Sequence, residues 1–258
     1  MLRRKTVNTV FILLTVLLLG LSFFTVVPLI VYFLFFFFWL LITICGSFFI
    51  RWNYHYKSLH SNKNITNNFV AITFDDGPHP QYTPQVLNLL KKHNAKATFF
   101  CIGQNVEQHP NLFKAIIDDG HTVGNHTFSH ARSFGFFNEE EVSKELYKTI
   151  DLIKSISGLQ MKLYRPAFGV TNPSIAKSVK KLNLTSIGWN VRSLDTTPRN
   201  ESMVLKRITS KISKGDIVLL HDTSEKSVRV LERLLLFLEE KKLKSVTVDQ
   251  ILQIKAYE

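Results

Sequence analysis

Cysteine is scarce in this chain, and acidic residues are outnumbered. Two Cys in 258 residues cannot build a disulfide framework or a cysteine-ligated metal site, so they report no redox compartment. Cys45 lies inside an apolar run and Cys101 ends another. Lys and Arg number 32 against 20 Asp and Glu, for a formal charge of +12. No basic stripe interleaved with aromatics accompanies that excess, which argues against nucleic acid as a partner. No internal repeat breaks the second half of the chain into equivalent units. The most consequential absence is local. Residues 6–50 contain no Asp, Glu, Lys, Arg or His.

A single helix over that run would far exceed the ~30 Å hydrocarbon core of a bilayer at ~1.5 Å per residue. Pro28 sits near its middle, where a helix breaks. The sequence therefore predicts a transmembrane hairpin, with spans at roughly 7–25 and 29–50 joined by a tight turn. A cleaved signal peptide is too short an explanation, since its apolar region covers only ~7–15 residues. A buried helix pair fits poorly, because residues 33–41 have no polar face. The layout is then an anchor at 1–50, a polar linker at 51–68 and one folded domain at 69–258, large enough for a sizeable core. Arg3, Arg4, Lys5 and Arg51 flank the double span, and the positive-inside rule leans toward both termini, and the domain, lying in the cytoplasm.

From residue 69 onward, strand-like and helix-like stretches alternate. Strands are predicted at 69–74, 97–102, 121–124, 163–165, 185–189, 216–221 and 244–246. Helices are predicted at 84–93, 110–119, 138–157, 173–182, 202–212 and 224–241, with a last one from 247. Asn138 can cap the longest of these, and Glu139, Glu140 and Glu141 sit at its positive end. Alternation of this kind implies a parallel sheet. About seven units suit an α/β fold, a closed or nearly closed (β/α)7 barrel, by analogy with the eight-unit barrel. A doubly wound open sheet is the other topology the pattern allows.

Two short blocks carry the chemistry: Thr73-Phe74-Asp75-Asp76-Gly77-Pro78 and His126-Thr127-Phe128-Ser129-His130. Asp76, His126 and His130 offer a carboxylate and two imidazoles. That set suits Zn²⁺ in a hydrolase and also Fe²⁺ in an oxygenase. The His pair alone could equally be solvated or core-packed, but an Asp-Asp-Gly-Pro turn at a strand end favours a metal. With Asp76 on the metal, Asp75 can remain an ionised general base beside a water whose pKa a metal lowers to ~7. His221 follows the apolar run 217–220 and is either a satisfied core histidine or a catalytic acid. Asp195 could orient it and hold it protonated. Arg165 either caps a strand or pairs with Asp75. Gly169 permits close approach to a ligand, and the Phe168 amide could serve an oxyanion. In a barrel these residues would gather where strands end and βα loops begin.

On these residues the chain resembles the polysaccharide deacetylase family, the nodulation-type (NodB) chitooligosaccharide deacetylase homology domain of carbohydrate esterase family 4, from about residue 69 to the end. Thr73–Pro78 and His126–His130 are similar to its first two motifs, Arg165-Pro166-Ala167-Phe168-Gly169 to the third, and Leu219-Leu220-His221 to the last. The resemblance implies a distorted (β/α)7 barrel that removes N- or O-acetyl groups from glycans with a divalent metal, often zinc. It further implies Asp75 as base, Asp76, His126 and His130 as metal ligands, and His221 as acid. Arg165 would orient Asp75, and Asp195 would tune His221. Two motifs depart from the pattern. Ala167 replaces a Pro, and Arg192-Ser193-Leu194-Asp195-Thr196 keeps the second Asp of the fourth motif but lacks the first and the Trp that walls the substrate groove. The anchor allows a lipid-linked sugar as substrate in place of a wall or capsule polymer. Many relatives act outside the cell, against the lean of the charge flanks. A catalytically inactive glycan-binding barrel is the competing reading. An Fe²⁺ oxygenase would require a jelly-roll strand pattern.

Overall fold

A computed structural model describes residues 2–258. The uncharged run forms two helices, α1 (Arg4–Leu21) and α2 (Leu29–Phe48), each long and apolar enough to cross a membrane. At ~1.5 Å per residue they measure ~27 and ~30 Å, close to a bilayer core. They lie antiparallel: the Phe11 and Phe35 rings stack at 4.4 Å, and Trp39 Nε1 donates to Asn8 Oδ1 at 3.1 Å. Around the turn Phe23 and Phe24 are 87% exposed and Val26 is 96% exposed, surfaces that suit hydrocarbon better than water. Arg4 N–H donates to Tyr54 O at 2.9 Å, so the start of α1 returns to the point where α2 leaves for the domain.

The stretch at 51–68, expected to be a linker, packs onto the domain. It holds a two-residue strand, β1 (Ser58–Leu59), and buries Tyr54, Ser58 and Ile65. Ser58 and Ser186 share a hydroxyl hydrogen bond at 2.7 Å, and Asn62 N–H donates to Gly215 O at 2.8 Å. A strand this short leaves no periodicity to read, and its polarity is satisfied by hydrogen bonds.

Thereafter come β2 (Phe69–Asp75), α3 (Thr83–Lys92), β3 (Ala97–Cys101), α4 (Gly103–Gln108), α5 (Pro110–Asp118), β4 (Thr122–Asn125), α6 (Glu139–Ser157), β5 (Leu163–Tyr164), α7 (Pro173–Lys181), β6 (Thr185–Ile187), β7 (Val191–Arg192), α8 (Glu201–Thr209), β8 (Ile217–His221), α9 (Glu225–Glu240), β9 (Lys244–Ser245) and α10 (Val248–Leu252). The strands pair in parallel in the order β1-β6-β5-β4-β3-β2-β8-β7, with β9 beside β2. The strand expected at 185–189 ends at Ile187, and a second strand, not expected, follows at Val191–Arg192. β6 pairs with β5, and β7, three residues on, pairs with β8. One bent stretch thus reaches both ends of the sheet and curls it into a distorted (β/α)7 barrel, with β1 filling the seam beside β6.

The break has a physical cause. Arg165 Nε donates to Ile187 O at 3.2 Å and its Nη2 to Gly188 O at 3.0 Å, so a side chain takes the carbonyls that a ladder would use. The core lies on both faces of the central strands. β2 is buried from Val70 to Asp75, and its Phe74 stacks on Phe99 at 5.0 Å. α6 begins as expected: Asn138 Oδ1 accepts the Glu140 and Glu141 N–H groups, and the Glu141 carboxylate accepts Asn138 N–H. Such a cap contributes ~1 kcal/mol. The six-residue α4 was not expected, having too few turns to show a period.

Candidate active site

The parallel register brings the site together. Asp75 pairs level with His221 across β2 and β8, while Asn125, the residue before His126, pairs with Tyr164, the residue before Arg165. Four strand ends therefore deliver their next residues to one rim. The chain leaves β2 at Asp76 in the left-handed region, φ 74°. Gly77 follows because a Cβ there would collide with the Asp222 carboxylate.

The two imidazoles at i and i+4 are not presented by a helix. Residues 126–130 form a loop in which Thr127 (φ 68°) and His130 (φ 49°) are left-handed. Asn125 Oδ1 accepts Thr127 N–H at 2.8 Å. Glu145 on α6 accepts from Phe128 N–H at 3.0 Å, Ser129 N–H at 2.8 Å and Ser129 Oγ at 2.9 Å. Sequence reasoning missed Glu145. Its signal was an acid next to the buried stripe Val142, Leu146, Thr149 and Ile153.

His126 Nδ1 donates to Arg165 O at 3.0 Å, which turns the Nε2 lone pair inward. His126 Nε2 and His130 Nε2 each lie 3.4 Å from Asp76 Oδ1. The three ligand atoms stand within 4.8 Å of one another. Among the described residues, buried Asp76 Oδ1 receives no hydrogen bond. A buried anionic oxygen without a donor, facing two imidazoles, fits a divalent cation. Burial works to raise the Asp76 carboxyl, but His126, His130 and His221 hold it well below the usual carboxylate range. Burial and then the neighbouring His126 lower His130, favouring the neutral imidazole that a metal needs.

Asp75 stands on one side of this centre. Arg165, fully buried, donates Nη1 to Asp75 Oδ1 and to Thr73 Oγ1, both at 2.7 Å. Its guanidinium lies 4.0 Å from the Phe100 ring centroid. Asp75 is thereby locked in one rotamer, with Oδ2 3.8 Å from His126 Nε2. Of the two roles open to Arg165, it fills the one that pairs with Asp75.

His221 stands on the other side, with Nε2 4.0 Å from Asp76 Oδ2. Its Nδ1 bonds Asp195 Oδ1 at 2.8 Å, and its backbone N–H donates to Asp195 Oδ2 at 2.8 Å. Ser193 Oγ and Ser227 Oγ donate to the same carboxylate at 2.7 and 2.8 Å; neither serine was anticipated. Burial works to lower the His221 value, and the Asp195 hydrogen bond and charge overcome it, raising it to about 9. That surrounding favours the imidazolium, unlike that of an unpartnered core histidine.

Two further residues shape the rim. The Phe168 ring lies 4.4 Å from the His130 ring and is half exposed. Gly169, expected to admit a ligand, admits a side chain: a Cβ there would stand 2.7 Å from Trp189 Cη2. Asp222 is fully buried, takes a hydrogen bond from Thr83 Oγ1, and is raised by burial to about 7.

Comparison with known proteins agrees with this arrangement. A family model for polysaccharide deacetylases matches residues 62–187. A peptidoglycan-N-acetylglucosamine deacetylase of Bacillus cereus is 33% identical over 188 residues, covering 71% of this chain and 68% of that protein. This chain belongs to the polysaccharide deacetylase family. The peptidoglycan-N-acetylglucosamine deacetylase PgdA of Listeria monocytogenes is 35% identical over 189 residues, 73% of this chain but 40% of that protein, so the deacetylase described here spans under half of that relative. The crystal structure of the Bc1960 peptidoglycan N-acetylglucosamine deacetylase superposes with a TM-score of 0.73 at 31% identity, covering 78% of this chain and 95% of that one. The family assigns amide hydrolysis to the fold, and the parallel barrel removes the oxygenase alternative.

Proposed function

We propose that this polysaccharide deacetylase is a metal-dependent hydrolase of acetylated amino sugars, held at a membrane surface by its N-terminal hairpin. Asp76, His126 and His130 would hold the cation, and their nitrogen and oxygen donors suit Zn²⁺. When bound, that ion supplies a polarised acetyl carbonyl and an acidified water. The observation that carries the reading is the buried, donor-free Asp76 Oδ1 facing two imidazoles, flanked by a locked carboxylate and a charged histidine.

The residues divide the proton work between them. Asp75 accepts the proton of the attacking water, and Arg165 keeps it aimed. His221 Nε2 donates a proton to the sugar nitrogen as the C–N bond breaks. Acetate and a free amine leave; Asp195 stabilises the imidazolium beforehand, and the cycle closes when solvent returns a proton to His221 and takes one from Asp75. The full complement of these residues argues against a catalytically inactive binding barrel.

The hairpin spans the membrane in this reading, with residues 1–50 as anchor and 51–68 packed on the domain at 69–258. Arg3, Arg4, Lys5 and Arg51 flank its domain end, while the turn at 22–28 carries no charge. That asymmetry favours the cytoplasmic face for the domain.

The test is acetate release by the detergent-solubilised full chain, stripped of metal and reloaded with Zn²⁺, on N-acetylated chitooligosaccharides and acetylated xylan. Metal-restored release is expected, and the substrate that responds sorts N- from O-deacetylation. Release insensitive to metal removal would overturn the reading.

A further inference from the structure

We propose that the acetamido sugar reaches this site on an apolar chain, joined to it through a phosphate group. The inference rests on the deacetylase reading and narrows its substrate. A cleft of about 430 Å³ lies between the end of α2 and the rim loops, lined among others by Thr43, Phe48, Arg132, Phe136, Phe168 and Val170. One wall belongs to a lipid-facing helix. The other is the Phe168 loop, whose ring packs on His130.

The two walls are fastened together. Thr171 N–H donates to Ser47 O at 2.9 Å, and Thr171 Oγ1 to Gly46 O at 3.4 Å. The cleft thus lies between the end of α2 and the Phe168 loop, and Phe168 in its lining packs on His130. Phe136 is 92% exposed and Phe48 is 64% exposed, a lining suited to a hydrocarbon chain rather than to water or a polar polymer. Arg132, two residues beyond His130, is exposed at the same cleft. Arg165 and Arg229 make the arginine ion pairs found among the described residues, and Arg132 makes none. A guanidinium beside an apolar cleft matches a phosphate at the junction of sugar and chain.

The test compares N-acetylglucosamine 1-phosphate with the same compound carrying a dodecyl ester on its phosphate. Both are given to the full, Zn²⁺-reloaded chain in phosphatidylcholine nanodiscs, and kcat/KM for acetate release is read for each. The ester is expected to lead by at least about tenfold, equivalent to burying two methylenes. Phe136→Asp should bring that ratio back toward the value set by membrane partition alone, and Arg132→Ala should lower kcat/KM for both compounds, which share the phosphate. Phe136 is on the surface, so its variant keeps the fold. A ratio equal in wild type and Phe136→Asp would mean partition without a cleft, and unchanged kcat/KM on both compounds in Arg132→Ala would mean no phosphate contact; either would overturn the proposal while leaving the deacetylase reading standing. No acetate from any acetamido substrate would overturn both.

Discussion

Replacing Asp195 with Asn isolates the charge that makes His221 an acid. The Asp195 carboxylate bonds Nδ1 at 2.8 Å and brings the imidazole to about 9 from an ordinary 6.5, against burial. That net rise corresponds to on the order of 3 kcal/mol in favour of the cation. Without that carboxylate its hydrogen bond and charge are gone, burial still lowers the imidazole, only the Asp75 and Asp76 charges still raise it, and the value falls toward the ordinary 6.5. At pH 8 an imidazole with a value near 9 is about 90% protonated, whereas one at 6.5 is about 3% protonated. The ratio of wild-type to variant kcat/KM should therefore rise about 20-fold or more between pH 6 and pH 8. An Asn amide also faces the Ser227 hydroxyl and the His221 N–H with the wrong polarity on one side, adding a loss nearly independent of pH. The assay is a pH profile of acetate release on a soluble chitooligosaccharide. An alkaline limb unchanged in Asp195→Asn would refute the reasoning, whatever the absolute loss.

The same pair makes a stability prediction. His221 is raised, so its contribution is full below 6.5 and is lost as pH rises through about 9; Asp195 is lowered, so its contribution is full above 3.8 and fades as pH falls further. The wild type should lose stability toward pH 10 more steeply than Asp195→Asn, read by urea midpoints. Asp75→Asn should abolish turnover yet keep bound Zn²⁺, while His126→Ala should lose both; equal metal loss by mass spectrometry would contradict the assigned roles. Arg165→Met leaves Asp75 and two carbonyls buried without their partner, at a cost of about 3–5 kcal/mol; a denaturation shift under 1 kcal/mol would show the pair to be incidental. Phe74→Ala opens the stacked core and should cost about 3–5 kcal/mol in the same experiment.

Legibility followed periodicity and chemistry. The uncharged run and Pro28 were enough to place the two apolar helices within a few residues, because an unbroken apolar run and a proline mark their extent directly. Apolar runs at β2 and β8 located the strands that carry Asp75 and His221, and the Asn138 cap located α6. Where elements are one turn long, as in β1 and α4, no pattern accumulates and none was read. The break after Ile187 was unreadable for a different reason: the side chain that takes its carbonyl, Arg165, lies about twenty residues upstream and meets it only through the pairing of β5 with β6.

The sequence by itself determined which groups take part. Asp75, Asp76, His126, His130, Arg165, Asp195 and His221 stood out as candidates because their types and motif spacings suit water activation and proton transfer. Tertiary structure alone decided their relations. Parallel register set Asp75 level with His221, two left-handed residues and Glu145 folded the His loop, and Ser193 and Ser227 completed the seat of Asp195. It also set the end of the apolar helix α2 against the rim of the site. Those relations depend on contacts between residues far apart in the chain, and a hydrogen bond or a packed ring leaves no local period in the sequence that forms it.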